Sequence, residues 1–219
     1  MQFLDIHTHQ SIQQKGVISI QSLSVTDDCL LKIPTHMPLS LGLHPWYAKL
    51  SELEAQMNVL TVIVQQDNVK LIGECGLDKL KGEKLENQLL ILMQQIKLAE
   101  NLNKPLILHC VKCFDELVKI KQQDKVKVPM IIHGFNKSFD LGKQMLHKGF
   151  YLSFGKAVLN GNKGVAKLIE TSDHFFLETD DSGFAIEEIY AAVANLKKCS
   201  VDELKARIFA DWNKLITKG

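Results

Sequence analysis

Short apolar runs alternate with longer amphipathic segments along the whole chain. Eight runs have the apolar or alternating character of strands: QFLDIH, GVISIQSLS, LSLGLH, KLIGEC, PLILHC, PMIIHG, FYLSFG and HFFLET. Strands that alternate with helices are typical of parallel β–α units, and eight of them fit a closed (β/α)8 barrel better than an open sheet. The pattern therefore predicts the α/β class, as a compact TIM-type barrel forming a single domain over residues 1–219.

The segments between the runs repeat apolar residues at helical spacing. They are SELEAQMNVLTVIVQQD, EKLENQLLILMQQIKLAENLN, FDELVKIKQQD, GVAKLIETS, AIEEIYAAVANLKK and SVDELKARIFADWNKLI. Ser51 and Ser200 precede Glu54 and Glu203 by three residues, which is the pattern of a capping box. We therefore expect Ser51 and Ser200 to cap the helices that follow them.

Composition and charge argue against several classes of protein. The chain is 46% hydrophobic, and 26 basic against 25 acidic residues give a formal charge of +1. That balance is not the basic footprint of a non-specific nucleic-acid binder, although it leaves room for a local basic rim. No apolar run approaches the length that spans a bilayer, and the first residues lack the pattern of a signal peptide. Five cysteines, an odd number, favour reduced thiols, so we expect a cytoplasmic protein without a membrane partner.

Residues that commonly bind metals follow the predicted strands. His7 and His9 end the first run, and alternate residues of a strand point to one face, so both imidazoles can reach one ion. Similar side chains close later runs, and the carboxyl ends of barrel strands gather on one face. We therefore predict a metal site there; the candidate ligands are His7, His9, Glu74, His109, His133 and Asp180, with His44 nearby. Asp5 lies on the same face of the first strand and is expected to support the ligands.

Six blocks carry a resemblance to a known family. In order they are DIHTH, LGLHPW, IGECGLD, LILHC, IIHGF and FLETDDS. Together they resemble the signature blocks of the TatD family of metal-dependent hydrolases, which belongs to the amidohydrolase-like barrels. Characterised members are deoxyribonucleases, so the resemblance implies a hydrolase of phosphodiester bonds with DNA as substrate.

The resemblance also implies a role for each candidate. It implies two divalent metal ions, the first bound by His7 and His9, with Glu74 bridging to the second. By the same resemblance His109 and His133 bind the second ion, Asp180 lies beside the first ion, and His44 lies near the substrate.

Such a ligand set suits zinc, manganese or magnesium without choosing among them. Two ions can lower the pKa of a water molecule, and Asp180 can take its proton, so Asp180 and Glu74 are the predicted catalytic residues. The chain has no Gly-rich phosphate loop and no G-x-S-x-G motif.

The chain departs from the family pattern where substrate would bind. FAIEEIYAAVANL follows ETDDSG almost at once, and HCVKC offers Lys112 where the family carries an arginine. Lys112 and Lys156 lie just after strand ends and are the candidate contacts to a phosphate. The trimmed loops support hydrolysis better than they support DNA as the substrate. Two alternatives therefore stay open: a hydrolase of a small phosphoester or amide, and a catalytically silent binding protein, which the complete ligand set disfavours.

Cys110 and Cys113 form a C-x-x-C motif directly after His109. A functional role for this motif would be a redox pair or a thiolate metal site. A single C-x-x-C motif outside a thioredoxin-like setting supports either role weakly. The sequence indicates no obligate protein partner.

Overall fold

The predicted strands all form in the computed structural model, which describes residues 1–11, 14–25 and 33–217. They lie in one parallel sheet in chain order: β1 (Phe3–Thr8), β2 (Val17–Ser24), β3 (Leu39–Gly42), β4 (Val69–Asp78), β5 (Leu106–Val111), β6 (Met130–Ile132), β7 (Tyr151–Phe154) and β8 (Phe176–Leu177). Each apolar run overlaps one of these strands. The predicted α/β class and (β/α)8 barrel fold are thus confirmed.

Helices occupy most of the connections: α1 (Leu53–Ile63), α2 (Leu85–Leu102), α3 (Phe114–Gln123), α4 (Phe139–His147), α5 (Lys156–Leu159), α6 (Lys163–Thr171), α7 (Ile186–Lys197) and α8 (Val201–Thr217). The six predicted helices are confirmed. The two that the apolar spacing did not predict, α4 and α5, are short, with nine and four residues. None of the described helices is both long and apolar enough to cross a membrane.

The two predicted caps have different outcomes. The Ser200 hydroxyl accepts a hydrogen bond from the Glu203 N–H at 3.2 Å, and the Glu203 carboxylate accepts one from the Ser200 N–H at 2.8 Å. This capping box is confirmed. The prediction for Ser51 is wrong, because Ser51 lies inside a 3₁₀ turn (Leu50–Glu52) and α1 begins only at Leu53.

The chain forms two compact units, and each has its own core. Unit 1 comprises residues 1–21 and 131–218, and unit 2 comprises residues 22–130. In unit 1, β1 pairs with β2, and β7 pairs with both β6 and β8; in unit 2, β4 pairs with both β3 and β5. The apolar side chains of these strands are almost fully buried, so each unit has a rigid frame for the polar residues at its strand ends. That the whole chain is one domain stays a prediction.

Candidate metal centre

In unit 1, three predicted ligands come together. The metal-binding atoms of His7, His133 and Asp180 all lie within 4.8 Å of one another, although these residues follow or end different strands. An Asp180 carboxylate oxygen lies 3.6 Å from His7 Nε2 and 3.6 Å from His9 Nε2. Four of the six predicted ligands therefore meet in unit 1; we call them the first group (His7, His9, His133 and Asp180).

Main-chain hydrogen bonds hold the first group in place. The Asp180 N–H donates to the His7 carbonyl at 2.9 Å, and the His9 N–H donates to the Asp180 carbonyl at 3.1 Å. Asp180 has a φ of 53°, in the left-handed region that aspartate tolerates better than most residues. These bonds join the end of β1 to the backbone of Asp180. The side chains of His7, His9 and Asp180 therefore cannot move independently.

Two buried carboxylates support the first group. Asp5 accepts hydrogen bonds from the Thr179 N–H at 3.0 Å and the Thr179 hydroxyl at 2.6 Å, and this contact fixes the backbone next to Asp180. Burial raises the pKa of Asp5 to about 7. Glu178 accepts from the Gly134 N–H at 2.6 Å and lies 3.7 Å from His133 Nδ1. Asp5 thus has the supporting place predicted for it.

The carboxylates of unit 1 differ in their acidity. Burial raises the pKa of Asp180 above its ordinary value, in spite of the opposing charge of His133. Burial also tends to raise the pKa of Glu178, but the hydrogen bond and the charge of His133 outweigh it, so that pKa is lowered. A proton is therefore held more readily at Asp180 than at Glu178.

In unit 2, the remaining ligands gather around one carboxylate oxygen. Glu74 Oε1 lies 2.9 Å from His44 Nε2 and 2.9 Å from His109 Nδ1, and all three side chains are almost fully buried. We call these residues the second group (His44, Glu74 and His109). Glu74 does not end its strand as expected, because β4 continues to Asp78.

The extra length of β4 brings Asp78 to His109. Asp78 Oδ2 accepts a hydrogen bond from the Trp46 indole N–H at 2.6 Å and lies 3.1 Å from His109 Nε2. Its other oxygen accepts from the Leu80 N–H at 2.7 Å and the Lys81 N–H at 3.2 Å. Although burial opposes ionisation, these bonds lower the pKa of Asp78. Asp78 thus holds His109, a predicted ligand.

A signal for this role of Asp78 exists in the sequence. Asp78 follows Glu74 by four residues on one strand, so both side chains point to the same face. Gly76 lies between them with a φ of 140°, and a side chain there would overlap the backbone carbonyl of His109. Glycine therefore lets β4 approach β5 closely enough for both carboxylates to reach one imidazole.

The hydrogen bonds limit where the protons of the two rings lie. Asp78 and Glu74 can only accept, so a neutral His109 donates from Nε2 to Asp78 or from Nδ1 to Glu74, and an ion bound at Nδ1 would require the proton on Nε2. His44 Nδ1 accepts from the Trp46 backbone N–H at 3.1 Å, so the neutral His44 ring carries its proton on Nε2 and donates to Glu74. Asp78 would thus support an ion bound at His109 Nδ1, while His44 orients the Glu74 carboxylate.

Both groups fit a divalent ion by the chemistry of their donors. The first group offers imidazoles and one carboxylate, and the second offers an imidazole lone pair beside a carboxylate, as zinc and manganese sites do. In the first group, the rings of His7 and His133 lie 4.2 Å apart between centroids.

The candidate phosphate contacts and the cysteine motif have other surroundings. Lys156 Nζ forms an ion pair with the carboxylate of the exposed Asp181 at 2.8 Å. Lys112 is exposed directly after β5. Cys110 and Cys113 are not joined in a disulfide. Burial raises the pKa of Cys113 to about 11, so Cys113 does not have the low pKa of a reactive thiolate.

Several known proteins are similar to this chain in sequence. An uncharacterized metal-dependent hydrolase of Methanocaldococcus jannaschii is 25% identical over 223 residues, covering 94% of this chain and 88% of the relative. One from Buchnera aphidicola is 26% identical, covering 80% of this chain and 69% of the relative. A protein of Enterocytozoon bieneusi named as a homologue of the deoxyribonuclease TATDN1 is 29% identical, covering 74% of this chain and 62% of the relative.

Solved structures agree with the fold. The TatD homologue YjjV of Escherichia coli superimposes with a TM-score of 0.81 at 22% identity, covering 98% of each chain. A TatD-family hydrolase of Entamoeba histolytica gives 0.77 at 15% identity with the same coverage. The sequence profile of the family described as TatD related DNase matches residues 13–216. With most of its length matched by that profile, this chain belongs to the TatD family of metal-dependent hydrolases.

Proposed function

We propose that this hydrolase cleaves phosphodiester bonds of DNA and that its two groups of ligands each bind a divalent ion. The observation that carries the proposal is the meeting of imidazoles and carboxylates in both units, at residues that lie in or shortly after separate strands. The description of the family and the name of the Enterocytozoon bieneusi relative support DNA as the substrate.

The proposal gives each ligand a task. His7, His9, His133 and Asp180 hold one ion, and Glu74 and His109 hold another. Bound ions of this kind neutralise charge on a phosphoryl oxygen and lower the pKa of a water molecule. The carboxylate of Asp180 lies 3.6 Å from both His7 Nε2 and His9 Nε2, whereas Asp181 is bonded to Lys156, so Asp180 would accept the proton of the attacking water.

Hydrogen bonds from neighbouring residues fix the orientation of the ligand side chains. His44 donates to Glu74 and holds the carboxylate in one orientation, and with an ion at His109 Nδ1 the Asp78 carboxylate would accept the remaining proton from Nε2. Contact of His44 or Lys112 with the substrate remains part of the proposal. Lys156 could contact a phosphate only by giving up its ion pair with Asp181.

A hydrolase of a small phosphoester is the second candidate. It is favoured by the formal charge of only +1, because a protein that contacts several phosphates of a long strand usually carries a basic surface.

The experiment compares both substrate classes with one set of variants. Protein freed of metal with a chelator is loaded with Mg²⁺, Mn²⁺ or Zn²⁺ and given labelled single- and double-stranded DNA, and a panel of small phosphoesters in parallel. We expect nucleotide release by the wild type and a loss of about 100-fold or more in Asp180→Asn, the range for removal of a general base. Asp181→Asn is the matched control because Asp181 is exposed and bonded to Lys156.

Metal content per chain gives a second readout. Glu74→Gln should reduce the number of ions bound per chain, while Asp181→Asn should not. Turnover restricted to small esters would reject DNA as the substrate. Equal activity of the Asp180 and Asp181 variants would reject the assignment of the base.

A further inference from the structure

Two aromatic side chains lie exposed beside the second group. Trp46 and Tyr47 are 36% and 56% exposed, although aromatic side chains of this size are usually buried. They belong to a turn in which the Tyr47 N–H donates to the His44 carbonyl at 3.0 Å. The Tyr47 ring lies 5.4 Å from the His44 ring and 6.3 Å from the Trp46 ring, between centroids. The turn thus presents aromatic surface next to a residue that contacts Glu74.

A lysine accompanies these rings. Lys81 Nζ lies 3.7 Å from the centroid of the Trp46 ring. In the part of the chain that the structure describes, no carboxylate lies within ion-pair distance of this ammonium group. The backbone of Lys81 is fixed, because its N–H donates to Asp78, which also binds Trp46. An ammonium group over an aromatic ring keeps its charge available for an anion on its open side.

We propose that the aromatic–lysine patch (Trp46, Tyr47 and Lys81) is a nucleotide subsite for single-stranded DNA. A base stacks on the Tyr47 ring, and Lys81 contacts a phosphate of the same strand; this assignment rests on the proposed nuclease function. Stacking on an aromatic side chain together with a nearby cation is how proteins bind single strands without reading their sequence. A duplex does not fit, since its bases are stacked on one another and cannot cover Tyr47.

The patch suits this role better than the lysines that follow the strands. Lys156 is occupied by Asp181, whereas Lys81 faces an aromatic ring. Trp46 also connects the patch to the second group, since its indole bonds to Asp78 and its ring lies 5.3 Å from that of His109, between centroids. A nucleotide on the patch would therefore lie beside residues that hold a metal ligand.

The test compares a single-stranded oligonucleotide with the same strand carrying abasic sites. Tyr47→Ala should raise KM for the base-bearing strand about 10-fold relative to KM for the abasic strand, which is within the range for loss of one stacked base. Tyr47→Phe should restore the wild-type ratio. Val62→Ala is the control, because Val62 is an exposed apolar residue on α1.

Lys81 should act on the phosphate instead of the base. Lys81→Gln should raise KM for both strands by a similar factor and reduce the dependence of KM on salt, since one phosphate contact is lost. Lys97→Gln, on the exposed face of α2, is the control.

Equilibrium binding without metal separates this inference from the proposed function. Trp46 fluorescence reports binding, because the only other tryptophan, Trp212, is buried. Base-dependent binding without any cleavage would support the subsite and reject the nuclease. Cleavage with an unchanged ratio of KM in Tyr47→Ala would reject the subsite and leave the nuclease standing. Absence of both binding and cleavage would reject both.

Discussion

Replacement of Asp78 by asparagine should hold the proton of His109 on Nδ1. The carboxylate accepts hydrogen bonds from Trp46, Leu80 and Lys81, and it can also accept one from His109 Nε2, which makes two contacts at each oxygen. An amide has one oxygen, so Asp78→Asn keeps the two backbone bonds only if its NH₂ group faces Trp46 and His109. The NH₂ group then donates to His109 Nε2, so the proton of the neutral ring is held on Nδ1, the nitrogen that faces Glu74 and would otherwise bind the ion.

In Asp78→Asn, the expected losses of unfolding free energy and of metal affinity have different causes. In the favoured orientation one bond is lost, that of the half-exposed Trp46 indole, and a hydrogen bond to a charged group contributes about 1.5–3 kcal/mol. We therefore expect a loss of about 2 kcal/mol in the free energy of unfolding. The metal loses the Nδ1 lone pair, and removal of such a supporting carboxylate lowers affinity about 10- to 100-fold.

Two measurements and one matched variant test this reasoning. Urea unfolding of chelator-treated protein gives the stability, and competition with a chelating dye gives the affinity and the number of ions bound. Trp46→Phe is the control, because it removes the same indole bond but leaves the carboxylate that fixes the His109 proton. It should lose about 1–2 kcal/mol of stability and keep its metal affinity within about threefold.

The result that would refute the tautomer argument is wild-type metal affinity and stoichiometry in Asp78→Asn. A second contradiction would be an equal loss of affinity in both variants, because that would assign the effect to the indole bond and not to the proton on His109.

Further predictions concern the frame around the site. Ser200→Ala should lower the free energy of unfolding in urea by about 1 kcal/mol, through loss of the cap of α8. Gly76→Ala should lower it by more than about 2 kcal/mol and also weaken metal binding, because the new methyl group overlaps the His109 carbonyl. Tyr190→Phe should lower it by about 1–3 kcal/mol, since the buried hydroxyl donates to the Leu4 carbonyl at 3.0 Å. Chelator treatment should lower Tm, and a metal at 100 times its Kd should restore about 2.7 kcal/mol. Calorimetry that shows no change on chelation would contradict this last expectation.

Local patterns were sufficient for most of the fold. Each of the eight apolar runs became a strand, because burial of a short apolar stretch between turns depends on the residues of that stretch. The capping box at Ser200 formed because its partners lie three residues apart. The short helices α4 and α5 escaped prediction, since nine and four residues give few turns in which a periodicity can show.

The sequence by itself determined which residue types follow which strands, and therefore that imidazoles and carboxylates would end up at strand ends. Only the tertiary structure decided which of them face each other. Trp46 and Asp78 are separated by 32 residues, and their bond depends on β4 continuing past Glu74 and on its close approach to β5 at Gly76. Strand register and packing set distances between remote side chains, and hydrophobic periodicity carries no information about them.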